Sequence, residues 1–187
     1  GPDIKSNLNE AENLITIAAN QGAKLIALPE YFSIMSAKDS EKLKAREKPD
    51  QGLVQSFLSK QAKKNKVWIV GGSIPMVSKD KNKIRNSCLI YDDKGNLVHR
   101  YDKIHLFGFD MGEEYYREDK LIEAGSDVVV VGPIEVEVLA NGDEILVLLG
   151  AVVAHRVTGV VGFFPTDDPR LVPVVDREVG VLGGRSE

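Results

Sequence analysis

Cysteine occurs once in these 187 residues, tryptophan once and histidine three times. A single thiol excludes an internal disulfide and leaves no paired cysteines for a structural metal site. The histidines, at positions 99, 105 and 155, have no ligand spacing. No apolar run approaches the roughly 18–20 residues that a membrane-spanning helix needs. The longest, Ile145 to Ala154, reads as a buried strand. There is no secretory signal, so the expected setting is cytoplasmic, away from the membrane. A net charge of −4 with no basic stripe offers no footprint for nucleic acid. The pair Gly71-Gly72 is not a phosphate loop, because no Lys-Ser/Thr pair follows it.

What is present is an ordinary soluble composition, 43% hydrophobic and 28% charged, suited to one domain with or without a small appendage. The charge is unevenly spread. Residues 1–125 hold 20 Lys+Arg against 18 Asp+Glu, whereas residues 126–187 hold 4 against 10 and no lysine. The second part is also dense in valine. This predicts two segments, an α/β region over 3–131 and a β-rich tail over 132–187.

In NLNEAENLITIAANQGA the residues Leu8, Ala11, Leu14, Ile15 and Ala18 recur at helical spacing, and Gly22 supplies a stop. KLIALPEYF is a short apolar strand ended by Pro29, and a polar loop follows. LVQSFLSKQAKKN is a second helix, with Leu53, Phe57, Leu58 and Ala62 on one face. Val67 to Val70 form a strand running into the glycine pair. NSCLIYDDKGNLVHRYDKIHLF is a hairpin turning at Asp93 to Asn96. In the tail, alternation on either side of Ala140 to Asp143 predicts another hairpin. Helices alternating with strands predict an α/β sheet with helices packed on it.

Two residues stand where chemistry is common. Glu30 follows the strand Leu25 to Leu28, and catalytic carboxylates often occupy such strand ends; a solvated terminus has the same appearance. Lys103 ends the strand from Leu97, among Tyr101, His105 and Phe107. A lysine so placed, held by a carboxylate, can stabilise a developing oxyanion, or it is simply solvated.

In order, LPEYF, VWIVGGSIP, NSCLIYDDKGNLV and YDKIHLF resemble the nitrilase superfamily of carbon–nitrogen hydrolases, over about Lys5 to Val131. The resemblance implies half of a four-layer αββα sandwich, usually paired into homodimers or larger assemblies. It implies amide hydrolysis on short linear amides by a glutamate, a lysine and a cysteine, with a second glutamate assisting and no metal or organic cofactor. Glu30 matches the general base, Lys103 the lysine that stabilises the tetrahedral intermediate, and Glu118, in YYREDKLIEAG, the second glutamate.

The pattern also departs from the family. No cysteine follows EAGSDVVVV, and Thr158 is the first hydroxyl after Ser126. The family's opening strand before the first helix is not found. Cys88, within NSCLIYD, sits where the pattern is structural and reads as a small buried hydrophobe. His105 reads as support for the Lys103 loop, and Tyr115-Tyr116 as either substrate pocket or dimer contact. The expectation is therefore a hydrolase-derived chain with little or no turnover. The alternative is a non-catalytic scaffold, natural, engineered or chimeric, that self-associates through exposed sheet surface.

Overall fold

The computed structural model describes residues 1–36, 38–111, 114–129 and 131. The valine-rich tail, including the hairpin expected around Ala140 to Asp143, lies outside them. Helix α1 (Ile4–Asn20) starts at Asp3, whose carboxylate accepts from the Ser6 N–H at 3.0 Å, and ends before Gly22 at φ 96°. It buries Leu8, Ala11, Ile15 and Ala18. Leu14, expected on that face, is 41% exposed because it falls at the margin of the stripe that Ile15 centres.

Strand β1 (Leu25–Ala27) leads through α2 (Asp39–Ala45) to α3 (Leu53–Asn65). The stretch holding α2 reads as loop in the sequence because this helix buries no residue and so carries no apolar stripe. Its Asp39 and Glu41 in the first turn and Lys42 and Lys44 in the last suit the helix dipole. In α3 the buried stripe is Val54, Leu58 and Ala62, with Gln55 and Gln61 beside it. Leu53 is 54% exposed rather than facing the core, since the stripe begins one residue later. The Glu47 carboxylate accepts from the Val54 and Gln55 N–H groups at 2.7 and 3.1 Å, which pins the start of α3.

The sheet is built on β4 (Ile84–Tyr91). One edge of β4 pairs antiparallel with β2 (Trp68–Val70) and β3 (Ile74–Val77), and the other with β5 (Leu97–Asp102). Strand β1 lies parallel to β2. Strands β2 and β3 are thus one line of chain along β4, broken at Gly71-Gly72-Ser73. The β4–β5 turn is tied by the Asp92 carboxylate, which accepts from the N–H groups of Lys94 and Asn96, with Gly95 at φ 84°.

One face of the sheet presents Ile26, Ile69, Ile74, Met76, Leu89 and Tyr91 to α1 and α3, and this is the main core. A smaller cluster of Ile84, Leu121 and Ile122, with Tyr31, Leu43 and Leu106 against it, lies at the start of β4. A further hairpin, β6 (Gly108–Met111) with β7 (Glu114–Arg117), was not legible beforehand; its strands are too short to show a period. A 3₁₀ turn, Glu118–Lys120, follows. No helix among the described residues is long and apolar enough to cross a membrane.

Candidate active site

Three chain segments converge where β4 begins. The first is the exit of β1. Leu28 continues the ladder by donating its N–H to the Val70 carbonyl at 2.9 Å, and Pro29 then turns the chain away. Gly72, at φ 56°, lies against this turn so closely that a Cβ there would stand 2.0 Å from the Pro29 carbonyl oxygen. Only glycine fits both the conformation and the space. Beyond the turn the Tyr31 N–H donates to Ser73 Oγ at 3.2 Å. Glu30 is thereby fixed at the break between β2 and β3.

The second segment is the exit of β5. The Lys103 N–H donates to the Asn86 carbonyl at 2.9 Å, one step past the last strand residue. The third is the 3₁₀ turn. Glu118 donates its N–H to the Phe107 carbonyl at 2.9 Å, while its Oε2 accepts from the Phe107 N–H at 2.7 Å. Further backbone bonds, from the Ile84 N–H to the Leu121 carbonyl and from the Glu123 N–H to the Ile84 carbonyl, tie this turn to β4.

The structure therefore brings Glu30, Lys103 and Glu118 together. Lys103 Nζ lies 3.0 Å from Glu118 and 3.6 Å from Glu30 Oε1. Lys103 is mostly buried, Glu118 is 8% exposed, and the Glu30 side chain is 49% exposed. The two carboxylates differ in their bonding. Both Glu118 oxygens are engaged, by Lys103 and by the Phe107 N–H. Glu30 accepts from Asn86 Nδ2 at 2.7 Å through Oε1, and its Oε2 has no hydrogen-bond partner among the described residues. The arrangement holds a cation beside one carboxylate with both oxygens engaged and one with an oxygen that has no partner among the described residues.

Cys88 lies elsewhere along β4, opposite Tyr101 in the ladder and on the same sheet face as Asn86. Burial pushes its thiol up to about 12, the opposite of what an activated nucleophile needs. His105 is exposed and His99 is partly buried in β5, while His155 falls outside the described residues. Among the described residues no group of three or more His, Cys, Asp or Glu is placed to hold a metal ion. Tyr115 and Tyr116 are exposed on β7, and Tyr116 joins Phe107 and Phe109 in an aromatic cluster. An open concavity of about 500 Å³ runs beside this hairpin, lined in part by Phe107, Phe109, Tyr115 and Arg117, but by neither Glu30 nor Lys103.

Sequence reasoning missed Asn86, Tyr31 and Gly72. Asn86 carried a faint signal, a polar residue at an inward position of a strand. Tyr31 has a buried hydroxyl with no partner among the described residues, raised in pKa by burial and then by the charges of Glu30 and Glu118. Its backbone is in the left-handed region, φ 53°.

Residues 2–163 match the model of the carbon–nitrogen hydrolase family, and the chain belongs to that family. The match crosses residue 131, the boundary expected between the two segments. The chain is 36% identical to Nitrilase homolog 2 of Dictyostelium discoideum over 132 residues, 70% of this chain and 40% of that protein. It is 36% identical to Omega-amidase NIT2 of Homo sapiens over 124 residues, 65% of this chain and 44% of that protein. Among solved structures, Saccharomyces cerevisiae Nit3, a member of the nitrilase superfamily, superposes with a TM-score of 0.58 at 28% identity, covering 69% of this chain and 46% of Nit3. The fold is thus mixed α/β of the nitrilase type, represented in part. The chain spans less than half the length of these relatives.

Proposed function

We propose that this chain carries the base-and-lysine part of an amide-hydrolysing site. The observation behind the reading is the Lys103 ammonium held between the Glu118 and Glu30 carboxylates, at 3.0 and 3.6 Å. In this reading Glu30, with its free oxygen, is the general base. Lys103 holds the oxyanion of the tetrahedral intermediate. Glu118 anchors Lys103 and helps position the substrate. A thiol gives its proton to Glu30 and its sulfur attacks the amide carbon. The protonated Glu30 returns that proton to the leaving nitrogen, releasing ammonia. Water deprotonated by Glu30 then cleaves the thioester. No metal or organic cofactor enters this scheme. The substrate class is a short linear amide, and the omega-amidase name of the human relative favours one whose amide lies at the end of a short acid.

The attacking sulfur is the part not accounted for. Cys88 is the one cysteine of the 187 residues, and its partly buried thiol, pushed up to about 12, is poorly suited to ionise. These residues are therefore expected to bind short amides without turning them over. Ammonia release from dicarboxylic acid monoamides, measured for the unmodified chain, Glu30→Gln and Cys88→Ala, should stay at background in all three. Turnover abolished by both substitutions would reinstate Cys88 as nucleophile. Binding of a monoamide followed by NMR should be seen in the unmodified chain and lost in Lys103→Met; no binding by the unmodified chain would end the reading.

A second reading, a non-catalytic scaffold that pairs with another copy, is favoured by one feature. Among the described residues β5 pairs on one edge only, and its Leu97 and Val98 are exposed. A solution mass that stays monomeric across a wide concentration range would count against it.

A further inference from the structure

Asn86 is 3% exposed, and its amide is only half used. Its Nδ2 donates to Glu30 Oε1 at 2.7 Å, while its Oδ1 is buried with no hydrogen-bond partner among the described residues. Reversing the amide would turn its oxygen onto a carboxylate, so the bond to Glu30 fixes which atom is left over. Because Nδ2 and Oδ1 share one planar group, the orphaned acceptor sits beside the Glu30 carboxylate. The backbone of the same residue accepts from the Lys103 N–H at 2.9 Å, which places Asn86 at the junction of both catalytic candidates. Buried acceptors without donors are rare in folded proteins, and each calls for an explanation such as strain, a water, an ion or a role at the site.

We propose that Asn86 is a specificity-determining residue whose Oδ1 accepts an N–H of the substrate carboxamide, so that the site selects amides over esters. This rests on the amide-binding reading of Glu30, Lys103 and Glu118. A primary carboxamide carries two N–H donors and one carbonyl oxygen. Among the described residues the site offers two unfilled acceptors, the buried Asn86 Oδ1 and the open Glu30 Oε2, and the cation of Lys103. An ester presents the carbonyl but neither donor, and leaves both acceptors unfilled.

The test compares binding of the monoamide of a four-carbon dicarboxylic acid with that of its methyl monoester, by NMR titration of the full chain. The unmodified chain should prefer the amide by roughly tenfold or more, the scale of discrimination a buried unpaired group imposes. Asn86→Leu, close in size and without polar atoms, should bind the two alike. A direct readout needs no variant to fold: the Asn86 side-chain carbonyl carbon should shift on adding the amide and not on adding the ester. Preference retained in Asn86→Leu, or an unmoved Asn86 carbonyl while the amide binds, overturns the proposal and leaves the amide-binding reading standing. Failure of the unmodified chain to bind the amide overturns both.

Discussion

Glu30 and Glu118 are the same residue type on the same lysine, yet their surroundings give them different work. Glu118 is buried, with both oxygens engaged, so it is a fixed counter-charge. Glu30 is half exposed, and one of its oxygens has no partner among the described residues. Removing the lysine should therefore be felt mainly through Glu118. Lys103→Met is expected to destabilise the fold by about 3 kcal/mol, because it leaves a buried carboxylate with one backbone donor. Glu30→Gln should cost under about 1 kcal/mol, as exposed pairs do. Urea unfolding of the two variants checks the ranking, and equal costs would contradict it. Tyr31→Phe removes a buried hydroxyl that has no partner among the described residues. It should leave the urea midpoint unchanged or raise it, since no hydrogen bond is lost and a desolvated group is removed.

At the scale of elements, the site depends on a break in a strand. The line β2–β3 is interrupted at Gly71-Gly72, and the carbonyls of Leu28 and Pro29 fill the space where a Gly72 side chain would stand. Gly72→Ala should destabilise by more than about 2 kcal/mol, from positive φ and overlap together. It should also weaken amide binding, because it displaces the turn that carries Glu30; a variant as stable and as competent in binding as the parent would refute this account of the break. The helices give a second contrast. Leu58 is fully buried against the sheet, while Leu14 is largely at the surface. Leu58→Ala should cost about 2–5 kcal/mol and Leu14→Ala within about 0.5 kcal/mol, a difference that denaturant midpoints resolve directly.

Over the whole molecule, the buried neutral groups set the alkaline limit. The Cys88 thiol, ordinarily near 9.0, is pushed up to about 12 by burial, and Tyr91 rises to about 12 by burial and the nearby charges of Glu47 and Asp50. The folded chain holds these protons more tightly than the unfolded chain does. Their contribution is intact below about pH 9 and is lost progressively as pH rises toward 12. Stability should accordingly fall across that window, with a shallower slope in Cys88→Ala. Alkylation of Cys88 by iodoacetamide at pH 8 should run at least about 100-fold slower in the folded chain than in urea, following the thiolate fraction. Rapid labelling of the folded chain would remove the main reason for excluding Cys88 as nucleophile.

Helices α1 and α3, strands β1 and β2, the β4–β5 hairpin, the family, and Glu30 and Lys103 as candidates were legible in the sequence because they rest on local chemistry, whereas α2, β3 and the β6–β7 hairpin were not. Apolar spacing marks α1 and α3, Pro29 ends a strand, and Asp93 to Asn96 make a turn whatever lies around them. Glu118 could be named only through the family resemblance, since nothing near it in the chain marks a buried carboxylate. What the tertiary structure decided depends on residues far apart in sequence meeting in space. Which edge of each helix faces the core, outward for Leu14 and Leu53, followed from how the helices sit on the sheet. The half-satisfied amide of Asn86 exists only because the Glu30 turn, 56 residues earlier, comes to rest against β4. Spacing along the chain shows which groups are available for chemistry; packing of the described residues leaves one oxygen of Glu30 and one of Asn86 without a partner among them, beside a fixed cation.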